Sequence, residues 1–299
     1  MGHEMEIASV VSINSHQDQR MRQTLPTPVA WAEDLDAFSR WMTAADYPQS
    51  TRYLRSYHMR RFAHHTGLTP REVSLEDITD FLCAREWKKT TRSSYRSTLK
   101  SFFGWTTQTG RTEDNPTVYL PRVRADIGVP RPFPEELLRP LLAVAPERER
   151  LMIRLGAEAG MRSCEICLVN VYDIVGPIER PSIIAHGKGD KDRRIPIPTS
   201  LAQLVRARAG ANSGGWAFTG KINGHLSNKR VIEVLSDTMP GDWTGHSLRH
   251  RYGTITYAGC KDIRAVQKLM GHASPTTTQI YVSVHDDALH HAASFAAIA

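Results

Sequence analysis

The chemically capable side chains of this sequence gather near its carboxy terminus. Tyr281 ends the run Leu269-Met270-Gly271-His272-Ala273-Ser274-Pro275-Thr276-Thr277-Thr278-Gln279-Ile280-Tyr281, which lies downstream of His246-Ser247-Leu248-Arg249-His250. A phenol, several imidazoles and a guanidinium suit attack on a phosphodiester. The tyrosine supplies the oxygen, the arginine neutralises phosphate charge, and the histidines move protons or donate hydrogen bonds.

Other chemistries fit less well. His246 and His250 are four residues apart, on one face if helical, and His272 would make a third zinc ligand. The intervening Ser247-Leu248-Arg249 lacks the glutamate of a His-Glu-x-x-His site, and neighbouring arginines repel a cation, so metal catalysis is disfavoured. Gly187-Lys188-Gly189 lacks the residue order of a phosphate-cradling P-loop, which leaves nucleotide hydrolysis unsupported. Cys164-Glu165-Ile166-Cys167 fits Cys-x-x-Cys, but no second such pair exists and the segment reads as helix, so plain packing is the expectation.

Elements to position these groups are legible in the hydrophobic pattern. Residues 1–28 hold few large apolar side chains and read as a tail. Trp31, Leu35, Phe38 and Met42 recur at helical spacing, and a second helix, N-capped by Ser50, runs through Tyr53, Leu54, Tyr57 and Phe62. Ser74-Leu75-Glu76-Asp77 resembles a capping box ahead of Ile78, Phe81 and Leu82, and a fourth helix follows from about Thr90 to Trp105. Four helices over residues 29–114 make a compact bundle. Its basic residues Arg52, Arg55, Lys88, Lys89, Arg92, Arg96 and Lys100 are candidates for phosphate contact, helped by the hydroxyls interleaved from Thr90 to Ser97.

Proline at 116, 121, 130 and 132, with Arg122, Arg124 and Arg131, makes residues 115–133 an extended linker along a charged partner. From Pro134 to residue 299 a second domain begins with helical leucines at 137, 138, 141 and 142, and continues with Leu151, Ile153 and Leu155. Ser182 to Pro198 breaks the helical pattern: two short β-branched runs flank a Gly/Asp turn. It is expected to be a β-hairpin on a small, edge-rich sheet, since Pro196 suits an edge. The fold class is therefore mainly α with a small antiparallel β-sheet (α+β).

Composition agrees with a polyanionic partner. Among 299 residues, 38 Lys and Arg against 31 Asp and Glu leave a formal charge of +7. No apolar run approaches the roughly 20 residues that span a bilayer, and the amino terminus lacks the basic start and apolar stretch of a signal peptide. A soluble, cytoplasmic protein with no membrane partner is expected. Four scattered cysteines suggest no disulfide framework.

Four runs together resemble the signature of the tyrosine recombinases, the family of phage integrases and Xer-type enzymes. Ala159-Gly160-Met161-Arg162-Ser163-Cys164-Glu165-Ile166 is similar to the first arginine box, and Gly187-Lys188-Gly189-Asp190-Lys191-Asp192-Arg193 to the lysine hairpin. His246 to His250 and Leu269 to Tyr281 resemble the second arginine and nucleophile boxes, in the family's order. Gly245 stands where the family often has proline, and Arg251 where a small hydroxyl is common.

The resemblance implies that Tyr281 is the nucleophile, Arg162 and Arg249 the phosphate clamp, and Lys188 the general acid for the leaving sugar oxygen. It makes His246 the proton acceptor or hydrogen-bond partner of the phenol, His272 a donor to the scissile phosphate, and Glu165 a support beside Arg162. Physical chemistry is compatible with these roles. A phenol of pKa about 10 is only about 0.1% ionised at neutral pH and needs a base or positive surroundings, while arginine forks match phosphoryl oxygens.

The implied activity is site-specific recombination of double-stranded DNA at core sites, through a 3′-phosphotyrosyl link, with no cofactor, ATP or metal. A phage or mobile-element integrase is the preferred setting. The implied assembly is a monomer when free and a homotetramer at synapsis, with scope for an accessory directionality factor. Residues 286–298 would form a short subunit-exchange helix docking on a neighbouring subunit. The alternatives are Xer-type dimer resolution, a type IB topoisomerase and a non-catalytic DNA-binding protein.

Overall fold

Aromatic side chains at helical spacing build the first core. Trp31 and Phe38 from helix α1 (Val29–Ala44), Phe62 from α2 (Gln49–Thr66), and Phe102 and Phe103 from α4 (Lys89–Gln108) are each 1% exposed or less. Trp31 meets Phe62 and Phe103 edge-on, the arrangement that aromatic quadrupoles favour. Its indole Nε1–H donates to the Leu68 carbonyl at 2.7 Å. Ile78 and Phe81 close the core from α3 (Leu75–Cys83). The Ser74–Asp77 capping box is formed as the sequence predicts. Helix α2 starts slightly earlier than the Ser50 cap predicts. Pro48 takes the cap position, with its carbonyl accepting from Thr51 and Arg52, because proline is already set at a suitable φ.

The computed structural model describes residues 25–123, 130–187, 192–221, 223–272 and 278–281. It divides into two units, Met1–Asp126 and Ile127–Ala299. The stretch read as an extended linker is fastened at each end to the adjoining unit. Leu120 is buried in the first core, and Arg96 donates to the Leu120 and Pro121 carbonyls at 2.9 and 2.5 Å. Phe133 is buried in the second core, where its N–H donates to the Ser247 carbonyl.

The second unit contains α5 (Glu135–Val144), α6 (Glu147–Ala159), the short α7 (Ser163–Ile166), strands β1 (Ile174–Val175), β2 (Ser182–His186) and β3 (Asp192–Pro196), then α8 (Thr199–Gly210), α9 (Asn228–Thr238), α10 (Gly245–Cys260) and α11 (Ile263–Met270). The strands form an antiparallel sheet in the order β1-β2-β3, with Ile183 opposite Ile195 and His186 opposite Asp192. Pro196 ends β3, an outer strand, as its missing N–H requires. Ile183, Ala185 and Ile195 are fully buried on the helical layer. Helix α10 runs against α6, with Leu248 set directly against Gly156. Among the described residues, the first unit is helical and the second is helical with one small antiparallel sheet.

Candidate active site

Glu165 organises the site from below. Its side chain is 0% exposed, and its two oxygens accept the fork of Arg193 at 2.5 and 2.8 Å. It also accepts the Arg162 backbone N–H at 2.7 Å and Arg162 Nη1 at 2.8 Å. Burial pushes the carboxyl up, but hydrogen bonding and charge from Arg193, joined by Arg162, hold it below its ordinary value. Glu165 is therefore a carboxylate that fixes two guanidiniums. Arg193 carries the network further by donating from Nε to the Leu269 carbonyl at 2.9 Å, tying β3 to the end of α11.

Gly271 terminates α11 in the left-handed region at φ +62°, and a Cβ there would lie 2.8 Å from Arg193 Cδ. A side chain here would be strained by the left-handed backbone and would crowd the Arg193 side chain. The Gly271 carbonyl accepts from Arg162 Nη2 at 3.3 Å.

Arg249 lies deeper, 1% exposed on α10. Its Nη1 donates to the Gly160 carbonyl and its Nη2 to the Met270 carbonyl. Burial, then repulsion from Arg162 and Arg193, pushes its pKa down to about 9, which still leaves it cationic at neutral pH. Carbonyls take two of its five donors without cancelling its charge. With three guanidiniums around the carboxylate of Glu165, the site has a positive surplus suited to an anion.

Tyr281 is 4% exposed. Its ring lies over Gly253 of α10, where a Cβ would come within 2.7 Å of Cζ. His272 lies nearly parallel to that ring, at 11° and 6.2 Å between centroids, with its Nδ1 bonded to Thr278 Oγ1 at 2.9 Å. The hydroxyl meets His250 Nδ1 at 3.2 Å. His246, one turn earlier, stands edge-on to His250 with 4.3 Å between ring centroids. The family resemblance puts His246 at the phenol, whereas the structure places His250 there.

Burial and neighbouring positive groups disfavour the protonated form of all three imidazoles. Burial, followed by the charges of Arg249 and Arg162, lowers His246 and brings His272 down to about 4. Burial, then His246 and Arg249, brings His250 down to about 4. Burial raises Tyr281 against the opposing pull of Arg249 and Arg162, so the resting group is a phenol.

The structure therefore brings together Arg162, Glu165, His246, Arg249, His272 and Tyr281. Lys188 and Arg124 lie outside the described residues, as does the segment 286–298. Arg193 and His250 join the site without having been singled out as site residues. A signal for Arg193 was available: Ile195 faces the core, so strand alternation turns Arg193 to the same side, and an inward arginine requires a buried acid.

The two departures from the family pattern have local explanations. A Cβ at Gly245 would come within 2.8 Å of Leu235 Cδ1, and Arg251 ties α10 to α5 through Glu135 at 2.5 Å. Cys167 is buried with its thiol pushed up to about 11 by burial, and the described cysteines are all free. No group of three or more His, Cys, Asp or Glu among the described residues could hold a metal, and no described helix is long and apolar enough to cross a membrane.

Among the basic residues, Lys88, Lys89, Lys100 and Arg122 are exposed. Arg52 donates to Thr43 Oγ1, and Arg55 donates to Ser101 Oγ at 2.8 Å while lying over Tyr47. The Nε atoms of Arg52 and Arg92 are buried with no hydrogen-bond partner. Arg131 makes a bidentate pair with Asp242 and lies 4.0 Å from the Trp243 ring centroid, which fastens it to the second unit.

A tyrosine beside histidines and under the influence of a buried guanidinium fits one class, the enzymes that transfer phosphoryl groups through a phenolic oxygen. The phage integrase family profile matches residues 134–288, more than half the chain. The chain is 31% identical to tyrosine recombinase XerC of Rhodospirillum centenum, covering 85% of this chain and 83% of the relative. It is 27% identical to a tyrosine recombinase of Thermosipho africanus, covering 76% and 86%. In fold it is similar to a lambda integrase(75-356) dimer bound to a COC′ core site, with a TM-score of 0.68 and 17% identity over 84% of this chain and 95% of that one. XerH recombinase bound to its difH substrate gives a TM-score of 0.64 and 20% identity over 83% and 79%. The chain belongs to the phage integrase family and is a tyrosine recombinase, an enzyme of DNA strand cleavage and rejoining.

Proposed function

We propose that this recombinase cuts each strand of a specific core site by attack of Tyr281 on the scissile phosphate, and rejoins it to another duplex. The observation that carries this reading is Arg249, a buried guanidinium whose hydrogen-bond acceptors are carbonyls, within electrostatic reach of the Tyr281 phenol. Arg162, held by Glu165, is the second arm of the phosphate clamp. Lys188 protonates the leaving 5′ oxygen, and His272 donates to the phosphate. The 3′-phosphotyrosyl bond conserves the phosphodiester energy, so strand joining consumes no ATP. The charged groups are arginine and lysine, so no metal is assigned a role. DNA is the partner, four copies of the chain assemble at synapsis, and residues 286–298 link neighbouring subunits. The exposed Lys88, Lys89, Lys100 and Arg122 contact backbone phosphates.

Tyr281→Phe tests the nucleophile. It keeps the ring over Gly253 and removes the attacking oxygen. DNA binding is expected to remain, and covalent protein–DNA complex to disappear. An adduct surviving SDS in the Phe variant would sink the assignment.

Integration and excision of a mobile element is the preferred setting. The Xer-named relatives, similar along most of their length, favour chromosome or plasmid dimer resolution as the second reading. Mapping covalent cleavage sites across the source genome separates them: element ends in the first case, a single replicon site in the second.

A further inference from the structure

Thr278 touches two members of the site at once. Its hydroxyl meets His272 Nδ1 at 2.9 Å, and its carbonyl accepts the Tyr281 N–H at 3.0 Å. The residue is fully buried. We propose that Thr278 is a positioning residue for strand cleavage: its hydroxyl donates to His272 Nδ1, which confines the imidazole proton to Nε2 and aims that N–H at the scissile phosphate. This inference rests on His272 being the phosphate donor in the reaction of Tyr281.

A neutral imidazole carries one proton, and the hydrogen bond made at one ring nitrogen decides which of the two holds it. Burial, then the charges of Arg249, Arg162 and Arg193, followed by His246, brings His272 down to about 4. At neutral pH it therefore has a single N–H to offer. Nδ1 faces Thr278, which leaves Nε2 as the ring nitrogen for the phosphate. Were the proton on Nδ1, Thr278 Oγ1 would accept it and Nε2 would turn a lone pair toward the phosphoryl oxygens. Two lone pairs repel, so only the Nε2–H form binds.

Geometry holds the pair in place from both sides. The His272 backbone N–H donates to the Gln267 carbonyl at 3.2 Å, and its carbonyl accepts from Gln267 Nε2 at 3.2 Å, which ties it to α11. Its ring lies nearly parallel to that of Tyr281. One buried side chain thus sets the proton position of the donor from within the turn that carries the nucleophile. Threonine suits the place on two counts: β-branching restricts its χ1, and its hydroxyl donates as well as accepts. Valine has nearly the same shape and cannot donate.

The experiment compares the full chain with its T278V, T278S and H272A variants and the T278V, H272A double variant. The first readout is single-turnover formation of covalent complex on a nicked duplex carrying the mapped cleavage site. H272A is expected to slow this step by about 10²-fold, as on losing a preorganised donor. T278V is expected to cost at least about tenfold in the parent chain but under about twofold in the H272A background, where nothing is left to position. T278S keeps the hydroxyl and is expected within about threefold of the parent. The second readout is the imidazole nitrogen spectrum of the chain carrying isotope-labelled histidine, with the His272 signals assigned by their loss in H272A. The proton is expected on Nε2 in the parent and T278S, and partly or wholly on Nδ1 in T278V. If T278V fails to fold, the parent and T278S spectra carry the test. A parental rate in T278V, an equal cost of T278V in both backgrounds, T278S as slow as T278V, or a proton on Nδ1 in the parent would overturn the proposal. A parental rate in H272A defeats the donor reading of His272 and the inference with it, whereas a slow H272A beside any of those results defeats only the role of Thr278.

Discussion

A single carboxylate sets the position of both Arg162 and Arg193. Glu165 accepts four hydrogen bonds from them, three from guanidinium nitrogens and one from the Arg162 backbone, with its side chain wholly removed from solvent. Glu165→Gln preserves volume but replaces one acceptor oxygen with a donor and removes the negative charge, leaving two cations facing an amide. Breaking a buried pair by removing one partner commonly costs about 3–5 kcal/mol, and urea unfolding of Glu165→Gln is expected to show a loss of that order. Arg162 would also be released from its aim at the phosphate. Covalent-complex formation should then fall by about 10²-fold or more, as on losing a preorganised donor. Parent-like stability and rate would show that the carboxylate neither anchors the clamp nor balances it. Arg193→Lys should resemble Glu165→Gln more than the parent chain, because a lysine cannot reproduce the two parallel bonds of the guanidinium fork.

At the scale of elements, α10 carries the site on one stripe, with His246, Arg249, His250 and Gly253 at offsets of three, four and seven residues. Gly253 gives the sharpest test of that stripe. Alanine should favour the helix by up to about 1 kcal/mol, yet its Cβ would press on Tyr281 at 2.7 to 2.9 Å from three ring atoms. Gly253→Ala is therefore expected to leave the unfolding midpoint near or above that of the parent while cutting covalent-complex formation at least tenfold. A variant cleaving at the parental rate would show that Tyr281 attacks from a position away from α10. Much of this architecture was legible beforehand. Trp31, Leu35, Phe38 and Met42 marked α1 by period, Ser74 and Asp77 marked the start of α3, and Pro196 marked an outer strand. Each is a local signal, decided within a few residues. The hidden features were long-range. Whether His246 or His250 meets the phenol depends on how α10 is rotated against a segment about 30 residues downstream, which the His-x-x-Arg-His spacing leaves open. Arg193 was hidden for a similar reason, since its partner Glu165 is supplied by a different element, 28 positions away. The start of α2 was missed on a smaller scale, because Pro48 outcompetes the hydroxyl of Ser50 for the cap.

For the molecule as a whole, these histidines couple folding to pH. His246, His250 and His272 are all lowered from an ordinary value near 6.5, the latter two to about 4. Between those values the unfolded chain binds more protons than the folded one, so stability rises with pH. Their contribution is complete above about 6.5 and is lost progressively as pH falls toward 4. His186 works in the opposite sense. Burial lowers it, but Asp173 at 2.8 Å and Asp192 at 3.0 Å raise it overall, so its contribution is complete below 6.5 and lost as pH rises through its folded value. Three groups oppose one, and the full chain is expected to unfold at lower denaturant at pH 5 than at pH 7.5. Net positive charge would also grow on acidification, and self-repulsion would act in the same direction. The two causes separate in salt: about 1 M shrinks the screening length to roughly 3 Å, which should weaken the repulsion while leaving the buried imidazoles largely unaffected. A substantial fall in stability at pH 5 should persist in high salt, and His186→Asn should steepen it by removing the opposing group. A flat profile in high salt would mean that these histidines titrate normally in the folded chain, and the neutral imidazole assigned to His272 would lose its electrostatic basis.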